Sequence, residues 1–488
     1  MLRDWIEQAA GRHGDAVYLA EARGGGTLTY AGLRAAAGDW ERRLDEAGLP
    51  PGARIAVGHA EPLEYATALV AIVAAGRVAV PLDPGAPPAE VERVVAVARP
   101  AATVTTGSFG QIKVTPLTAG RSPALGGFRG VVPPGQHSSE RTPGDSGIFL
   151  CTSGTTGTPK GILLRDEQLA HTAASVVAAH RLTRDDRGYC SLPLFHVNAE
   201  VVGLLATLRA GAYLAVDRKF SRRGFWELIA ERRISWINAV PAIISILAMD
   251  PPAPRPVGVR FARSASAPLP RAALGRFESQ TGVPVIETYG MTEAASMITA
   301  NPLDARKPGS AGRPAGAEVR IEAPGGPAAP GEIGRVRIRG GGVIRAYASG
   351  GRPGAIDADG WLDTGDLGYL DADGYLFLVG RSDDVINRGG EKIYPRDIEE
   401  ILLAQPGVRA AAVIGAADEV LGERPVAYVV PDAGWAAADV GELLRKACEA
   451  ELPRHKQPSE FCLVPELPLG PTGKIARRRL KDLVTAPR

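Results

Sequence analysis

The sequence predicts an α/β protein: a large N-terminal domain of layered α/β sheets carrying a small β-barrel-like subdomain, followed by a small α+β C-terminal domain. Three observations lead to this prediction. Apolar runs of strand length alternate with helical stripes as far as the strand PVIETYG. Short strands separated by Gly and Pro then fill about 311–375. After Gly380 helices and strands alternate again, and 488 residues exceed what one core usually holds.

The first clear helix is predicted over 30–47, because Thr29 can cap its N-terminus and Gly48 can end it. Its apolar positions recur at helical period, at Leu33, Ala37, Trp40 and Leu44. The elements predicted after it are the strand RIAV, a helix over about 62–75, the strands RVAVPL and GIFLC, a helix over about 166–180, a strand near 189–192, and strands in SWINAV and PVIETYG. Residues 101–145 are rich in Gly, Pro, Ser and Thr, and we interpret them as a variable surface segment.

The second half of the chain contains two further groups of elements. The strands EVRIEA, GRVRIRG and YLFLVG predict the antiparallel, barrel-like subdomain. Helices near 395–404 and 440–450, with the strands VRAAAVIG and PVAYVV between them, predict the C-terminal domain. The predicted domains are therefore 1–380 and 384–488, joined through GRSDDV.

Composition restricts the function classes. A net charge of +2 gives no electrostatic case for nucleic acid or an anionic membrane. The four cysteines show no CxxC spacing, which excludes a disulfide framework and a zinc cluster. The N-terminus carries charges where a signal peptide needs an apolar block, and the longest apolar stretch, which ends at Arg77, is too short for a membrane span. A cytoplasmic protein is expected, and its oligomeric state is not readable.

The stretch TSGTTGTPKGI at 152–162 follows the apolar run GIFLC. It offers hydroxyls and bare amide groups on a flexible backbone, which suits the oxygens of a phosphate chain. Composition alone leaves an ordinary surface turn equally open. The phosphate-loop signature GxxxxGK[ST] is absent, because Pro159 replaces its second glycine and Gly161 its Ser/Thr.

Four further stretches place glycine beside charge: YGMTE at 289–293, GWLDTGDLG at 360–368, GRSDDVINRGGEKIYPRDIE at 380–399 and PTGKIARRR at 471–479. With these five stretches in this order, the chain resembles the adenylate-forming enzymes, a superfamily that includes acyl-CoA synthetases, peptide-synthetase adenylation domains and firefly luciferase. The resemblance extends to VAVPLDPGAPPAE and LPLFHVNAE. The sequence around FARSASAPLP and NPLDARKPGSAGRPAG most resembles that of CoA ligases for small or aromatic acids.

This resemblance implies an ATP- and Mg²⁺-dependent enzyme that converts a carboxylic acid to an acyl adenylate and then transfers the acyl group to CoA. A carboxylate is a poor electrophile, and adenylation replaces one hard substitution by two easier ones. Two alternatives stay open. The acceptor could be a carrier-protein pantetheine or a nitrogen nucleophile, or the chain could be an inactive nucleotide-binding scaffold. The presence of Lys160, Glu293, Asp366 and Lys474 speaks against the scaffold.

The resemblance also implies roles for individual residues. The β- and γ-phosphates are assigned to Thr152, Ser153, Thr155, Thr156 and Lys160. Tyr289 is assigned to stack on adenine, with Ser266 and Ala267 at the edge of the base. Thr292 is assigned to the α-phosphate, and Glu293 is the candidate Mg²⁺ ligand, because a hard cation prefers carboxylate and phosphate oxygens. Asp366, supported by Arg381, is assigned to the ribose hydroxyls, although a turn cap and a surface ion pair are the structural alternatives.

Lys474 is implied to bridge the substrate carboxylate and the α-phosphate during adenylation. Because it lies on the small domain, that domain is expected to be mobile, closing over the nucleotide and later moving away to admit the thiol. Asp383 matches the hinge, predicted at about 381–383. Gly389, Gly390 and Glu391 are implied to line the pantetheine channel.

His196 matches the position beside the acyl pocket, although a core histidine is the alternative. Amino-acid-activating relatives usually carry an aspartate there to pair with the substrate ammonium, so His196 counts against an α-amino acid. Glu200 leaves an amine elsewhere on the acid open. Val240, Ala265 and Gly290 complete the predicted pocket, and the catalytic group is predicted as Lys474, Thr292, Glu293 and His196.

Overall fold

The computed structural model describes residues 1–106, 112–116, 145–152, 160–252, 254–432, 434–435, 437–469 and 475–485. Its helices are α1 Leu2–His13, α2 Tyr30–Glu46, α3 Pro62–Ala74, α4 Pro88–Ala98, α5 Asp166–His180, α6 Ala206–Ala210, α7 Phe225–Glu231, α8 Pro241–Leu247, α9 Arg271–Thr281, α10 Pro395–Ala404, α11 Ala437–Glu451 and α12 Arg477–Thr485. A π-helix, Asn198–Leu205, precedes α6. Thr29 caps α2, since its side chain accepts a hydrogen bond from the Gly32 amide at 3.0 Å, as the sequence predicts.

The strands are β1 Val17–Glu21, β2 Thr27–Thr29, β3 Arg54–Val57, β4 Val78–Pro81, β5 Ala102–Thr106, β6 Ile112–Pro116, β7 Gly147–Thr152, β8 Lys160–Arg165, β9 Arg187–Cys190, β10 Tyr213–Val216, β11 Trp236–Ala239, β12 Phe261–Ser264, β13 Val285–Met291, β14 Ser296–Ala300, β15 Arg313–Pro314, β16 Glu318–Ala323, β17 Gly326–Pro327, β18 Gly334–Arg339, β19 Leu362–Leu370, β20 Leu376–Arg381, β21 Ile386–Arg388, β22 Glu391–Ile393, β23 Val408–Asp418, β24 Gly422–Pro431 and β25 Glu460–Leu463.

The largest sheet has nine strands in the order β15-β14-β13-β12-β11-β9-β10-β1-β2. Its centre, from β13 to β1, is parallel, and each parallel strand is buried. Helices return the chain between these strands, so their carboxyl ends lie along one edge of the sheet. This edge is where ligands bind in open parallel sheets.

The second sheet has six strands in the order β6-β5-β3-β4-β7-β8. Two of its strands, β5 and β6, fall in the segment interpreted as variable surface, so that interpretation is wrong for them. β5 pairs with β3 and buries Ala102 and Val104, and this pairing depends on a remote partner that local composition does not reveal. The hairpin β7–β8 ends at a pair between Thr152 and Lys160.

The third sheet confirms the predicted antiparallel subdomain. Its strands follow the order β17-β16-β18-β19-β20, and every neighbouring pair is antiparallel. Asp366 on β19 lies directly opposite Arg381 on β20. The subdomain therefore aligns two of the predicted nucleotide-binding residues through backbone register alone.

The C-terminal region forms a fourth sheet, β22-β21-β24-β23, to which β25 adds beside β24. It has an apolar core of its own, which includes Ile398, Leu402 and Val413. Its helix α10 contacts the rest of the chain, since Arg396 Nη1 donates to the Leu378 carbonyl at 2.8 Å. The predicted boundaries at 380 and 384 stay predictions. No helix within the described part of the chain combines the length and apolarity that a membrane span requires.

Candidate active site

The four predicted pocket residues come together at one edge of the nine-stranded sheet. His196 lies in the segment after β9, Val240 directly follows β11, Ala265 directly follows β12, and Gly290 lies near the end of β13. These four strands are parallel neighbours in the sheet. The carboxyl edge of β9 to β13 is therefore the candidate site for the acid.

The hairpin between β13 and β14 carries the residues predicted to meet the nucleotide. Gly290 is required here, because a Cβ atom would lie 1.4 Å from the Ser296 carbonyl oxygen on the opposite strand. The turn is tight: Ala295 and Ser296 have φ angles of 50° and 98°, a backbone region that residues with a side chain rarely adopt. This constrained turn fixes the backbone of Thr292, whose carbonyl accepts the Ala295 amide at 3.0 Å.

Tyr289, Asp366 and Arg381 form a hydrogen-bonded group that joins the large sheet to the antiparallel subdomain. The Tyr289 hydroxyl donates to Asp366 Oδ2 at 2.5 Å, and Arg381 Nη1 donates to Asp366 Oδ1 at 3.0 Å. Burial, with the Asp366 carboxylate beside it, raises the pKa of Tyr289 well above its usual range. The phenol therefore stays a donor, and the remaining carboxylate lone pairs can accept hydroxyl groups of a ribose.

Lys160 and Glu293 both contact Tyr347, a residue that the sequence interpretation missed. Lys160 Nζ lies 5.4 Å from the centre of the Tyr347 ring, and the Tyr347 hydroxyl donates to Glu293 Oε1 at 3.0 Å. Backbone bonds explain this position, since the Ala348 amide donates to the Gly161 carbonyl at 2.9 Å. Tyr347 follows the stretch GGGVIRA, and glycine beside charge was the signal that could have identified it.

Glu293 is the residue present that fits a divalent cation. It is 7% exposed, and its second oxygen, Oε2, receives no hydrogen bond from any described residue. Within the described ranges no cluster of three His, Cys, Asp or Glu side chains could hold a metal by itself. A single carboxylate beside a polyphosphate is a common arrangement for Mg²⁺, which usually binds through one or two carboxylates and the substrate's phosphates.

The predicted phosphate loop is described only at its two ends. Thr152 and Lys160 face each other as the last pair of the β7–β8 hairpin. Ser153, Thr155 and Thr156 lie outside the described residues. The hairpin therefore fixes the separation of the two loop ends, and the loop's phosphate role stays a prediction.

Ser266 and Ala267 lie in the loop after β12, and both are exposed. Ser266 has a φ angle of 74°, an unusual conformation for a residue with a side chain. Asn198 Nδ2 donates to Ser266 Oγ at 3.4 Å. The loop is thus linked to the π-helix that follows His196, and strained backbone of this kind is concentrated at functional sites.

A buried polar network beneath this loop was also missed. Arg263 on β12 is 1% exposed, and its Nη1 donates to Oδ1 of Asn198 at 2.8 Å and to Oδ1 of Asn238 at 3.1 Å. Burial lowers the pKa of Arg263 to about 9. The signal was an arginine inside the short apolar strand FARS, a position that rarely holds a charge.

Glu200 lies two residues beyond Asn198 in the π-helix and is 0% exposed. Neither of its carboxyl oxygens has a hydrogen-bond partner among the described residues. Burial raises the pKa of this carboxyl well above its usual range, which favours its neutral form. A pairing with a substrate amine stays a hypothesis.

The C-terminal domain carries the remaining predicted residues. Gly389 and Gly390 form the exposed turn between β21 and β22, with φ angles of 60° and 91° that suit glycine. Asp383 is exposed in a short 3₁₀ turn, Ser382–Asp384. Lys474 lies outside the described residues, but Leu469 and Ile475 on either side of its segment pair with each other.

Arg477 anchors the start of α12, directly after the Lys474 segment. Its Nη1 and Nη2 atoms donate to the two carboxylate oxygens of Glu399 at 2.7 and 2.9 Å, and Nη1 also donates to the Val413 carbonyl at 2.6 Å. Such a bidentate contact fixes direction as well as position. Sequence reasoning did not single out Arg477, because its partner Glu399 is far away in the chain.

A large, mainly parallel sheet within a mixed α/β fold, followed by a separate small domain, is the architecture of the adenylate-forming enzymes. Family models agree with this class. The model described as AMP-binding enzyme matches residues 6–348, and that described as AMP-binding enzyme C-terminal domain matches residues 397–474. The chain belongs to the AMP-binding enzyme family.

Individual relatives and structures are similar over most of the chain. A sulfoacetate–CoA ligase of Cupriavidus necator is 38% identical over 96% of this chain and 94% of its own length. An oxalate–CoA ligase of Arabidopsis thaliana is 39% identical over 69% of this chain and 67% of its own. ATP-bound MatB of Rhodopseudomonas palustris superimposes with a TM-score of 0.85 at 28% identity over 99% of both chains. The o-succinylbenzoate CoA synthetase of Bacillus subtilis, with its acyl-adenylate intermediate, gives 0.83 at 28% identity over 98% of both.

Proposed function

We propose that this chain is an AMP-forming acid–CoA ligase. It activates a carboxylic acid with ATP and Mg²⁺ as an acyl adenylate, releases pyrophosphate, and transfers the acyl group to the thiol of CoA, giving acyl-CoA and AMP. The observation that carries this proposal is the β13–β14 hairpin. Within five residues it brings Tyr289 to Asp366 and Glu293 to Tyr347, whose ring Lys160 also contacts. This separation suits a nucleoside at one end and a phosphate chain at the other.

In the first step the carboxylate of the acid attacks the α-phosphorus, and pyrophosphate leaves. Two anions meet in this step, so cationic and hydrogen-bonding groups must offset their repulsion. Lys160 is assigned to the outgoing phosphates, Thr292 to the α-phosphate, and Lys474 to the carboxylate and the α-phosphate together. Glu293 would hold Mg²⁺, which supplies neutralisation of phosphate charge when it is bound.

In the second step the CoA thiol attacks the acyl carbon and AMP leaves. Gly389 and Gly390 carry no side chain into the turn that they form, which suits a turn lining a narrow channel for pantetheine. Lys474 and this turn lie on the same small domain, and both are assigned to the reacting centre. We infer that the domain reorients between the two steps, with Asp383 in the hinge.

The names of the relatives guide the choice of acid. Sulfoacetate and oxalate are small acids, and succinylbenzoate carries an aromatic ring. A panel of small, aromatic and medium-chain acids covers these classes. His196 at the pocket, in place of an aspartate, disfavours α-amino acids.

Two assays test the proposal. First, acid-dependent exchange of labelled pyrophosphate into ATP is measured without CoA, and the expected result is exchange with at least one acid of the panel. Second, the products are identified by mass spectrometry after CoA is added, and acyl-CoA with stoichiometric AMP is expected. ADP with an acyl phosphate would overturn the adenylation step.

The same assays separate the alternatives. Exchange without acyl-CoA formation, followed by acyl transfer to a pantetheinylated carrier protein or to hydroxylamine, would assign a different acceptor. ATP binding without exchange for any acid would favour a scaffold.

A further inference from the structure

Arg263 is a buried cation without an acidic partner among the described residues. No carboxylate among the described residues lies within ion-pair distance of it, and its only hydrogen bonds there go to the amide oxygens of Asn198 and Asn238. Its Nε atom is buried without a hydrogen-bond partner in the described chain. Buried charges are normally paired, because removing them from water is costly. The guanidinium therefore still has N–H donors and a positive charge with which it can bind an anion.

The titratable groups near Arg263 in the described part of the chain form no ion pair with it. In the sheet it lies opposite Asn238, which in turn lies opposite Cys190, and burial raises the pKa of that thiol to about 11. Glu200, on the same π-helix as Asn198, forms no ion pair with Arg263, and burial raises the pKa of its carboxyl, which favours the uncharged form. The partner that this cation lacks is absent from the described residues around it.

The position of Arg263 is on the acyl side of the site. It precedes Ala265 by two residues, and Asn198, which accepts its hydrogen bond, also donates to Ser266 in the loop after β12. Asn198 in turn follows His196 by two residues. An acid whose reacting carboxylate lies toward Thr292 would extend its other end toward this network.

We propose that Arg263 selects acids that carry a second anionic group, a carboxylate or a sulfonate, at the end remote from the reacting carboxylate. This inference rests on the proposed function and narrows its substrate class. The second anion pairs with the guanidinium, whose orientation is fixed by Asn198 and Asn238. An acid with an apolar end of equal size leaves the guanidinium unpaired and is disfavoured.

The test compares acids of matched shape with the purified full-length chain. The pairs are malonate with 3-methylbutanoate, and sulfoacetate with 3,3-dimethylbutanoate, so that only the second charge differs. We expect kcat/KM for AMP formation to favour the dianion of at least one pair by on the order of tenfold to a hundredfold. Arg263→Met should abolish this preference mainly through KM for the dianion, whereas Arg263→Lys should retain part of it. The KM for ATP should stay unchanged in both variants.

Two results with the wild type and Arg263→Met would overturn the inference. One is a wild-type preference for the apolar member of both pairs, or no preference. Another is an equal loss for both members of each pair in Arg263→Met, which would assign a purely structural role to this arginine. If Arg263→Met does not fold, Arg263→Lys carries the test. A folded Arg263→Lys with a preference for the dianion reduced below that of the wild type supports the inference, and one that keeps the full wild-type preference overturns it. Failure of every acid to yield AMP would instead contradict the proposed function.

Discussion

At the scale of single residues, the site depends on side chains whose partners come from distant parts of the chain. Glu293 is oriented by Tyr347, and Asp366 is held between Tyr289 and Arg381. Glu200 is the opposite case, since it is buried and its carboxyl oxygens have no hydrogen-bond partner among the described residues. These two situations predict different consequences of neutralising a carboxylate.

Replacing Glu293 by Gln is expected to lower acid-dependent pyrophosphate exchange on the order of a hundredfold, because the change removes a charged Mg²⁺ ligand. The Mg²⁺ concentration for half-maximal MgATP binding, measured by calorimetry, should rise in parallel. Tyr347→Phe serves as the matched control, since it keeps the carboxylate and removes only one hydrogen bond, for an expected loss of about tenfold. An unchanged Mg²⁺ dependence in Glu293→Gln would remove Glu293 from the metal site.

Replacing Glu200 by Gln is expected to raise thermal stability at pH 8 relative to the wild type, and much less at pH 5. The reason is linkage. Because burial raises the pKa of Glu200, the folded protein holds this proton to higher pH than the unfolded chain, which releases it above about pH 4.3. The wild type therefore loses stability as pH rises above the unfolded pKa, and the variant does not.

Melting temperatures between pH 5 and pH 8 check this prediction, and a gap of about 2–4 °C at pH 8 is expected. Glu227→Gln, an exposed carboxylate on α7, is the control with the same change of charge. A gap that does not vary with pH would mean that Glu200 is ionised in the folded protein.

At the scale of elements, the hairpin β13–β14 and the helix α12 each position one part of the site. The hairpin does so through backbone constraint at Gly290, and α12 does so through the contact between Arg477 and Glu399. Both devices are local, so single substitutions can test them.

Gly290→Ala is expected to destabilise the protein by about 3 kcal/mol, because the new methyl group would overlap the Ser296 carbonyl and force the hairpin apart. The midpoint of urea denaturation measures the change. Gly275→Ala on α9 is the control, since a Cβ there meets nothing within 4 Å, and it should stabilise by about 0.5–1 kcal/mol. Equal stability of the two variants would show that the hairpin can relax.

Arg477→Ala is expected to loosen the C-terminal domain, because Glu399 would remain buried without its cation at a cost of about 3 kcal/mol. Hydrogen exchange should accelerate in α12 and β23, and adenylation should fall about tenfold as the Lys474 segment loses its anchor. Arg479→Ala changes an exposed arginine two residues away and should alter neither quantity. Faster hydrogen exchange with an unaltered adenylation rate would show that Arg477 stabilises the C-terminal domain but does not position Lys474.

Much of this element structure could be predicted, because its determinants are local. The helix over 166–180 has the bounds predicted from the sequence, and Thr29 caps α2 through its own side chain. The strand β5 could not be predicted, because its burial depends on β3. The π-helix after Val197 has no distinctive sequence period, and the contacts of Arg263 and Tyr347 arise only after distant strands assemble. The motif residues on β13 were identified because one short segment carries them all.

At the scale of the whole molecule, two separately packed parts meet through α10. The Arg396 contact to the Leu378 carbonyl and a 3.4 Å bond from the Arg271 amide to Glu400 are hydrogen bonds between them. A junction of this kind is compatible with a small domain that moves as a unit. The proposed division of labour between adenylation and thioester formation depends on that motion.

Lys474→Ala is expected to suppress adenylation on the order of a hundredfold or more, because a contact made in the transition state is lost. Thioester formation from a supplied acyl adenylate should change little. Single-turnover assays of each half-reaction measure the two rates, and Lys446→Ala, an exposed lysine on α11, is the control. Equal losses in both halves would contradict the role of Lys474.

Arg263 lies on β12, whereas the hairpin proposed to bind the nucleotide begins with the neighbouring strand β13. This arrangement affects how the substrate specificity of such an enzyme can change in evolution. If Arg263 selects the acid and the β13–β14 hairpin binds ATP, as proposed, a mutation on β12 changes the acid that is accepted while the residues of β13 are inherited unchanged. Under these two proposals, gene duplication followed by a change at that one strand position would give a ligase with a different acid specificity.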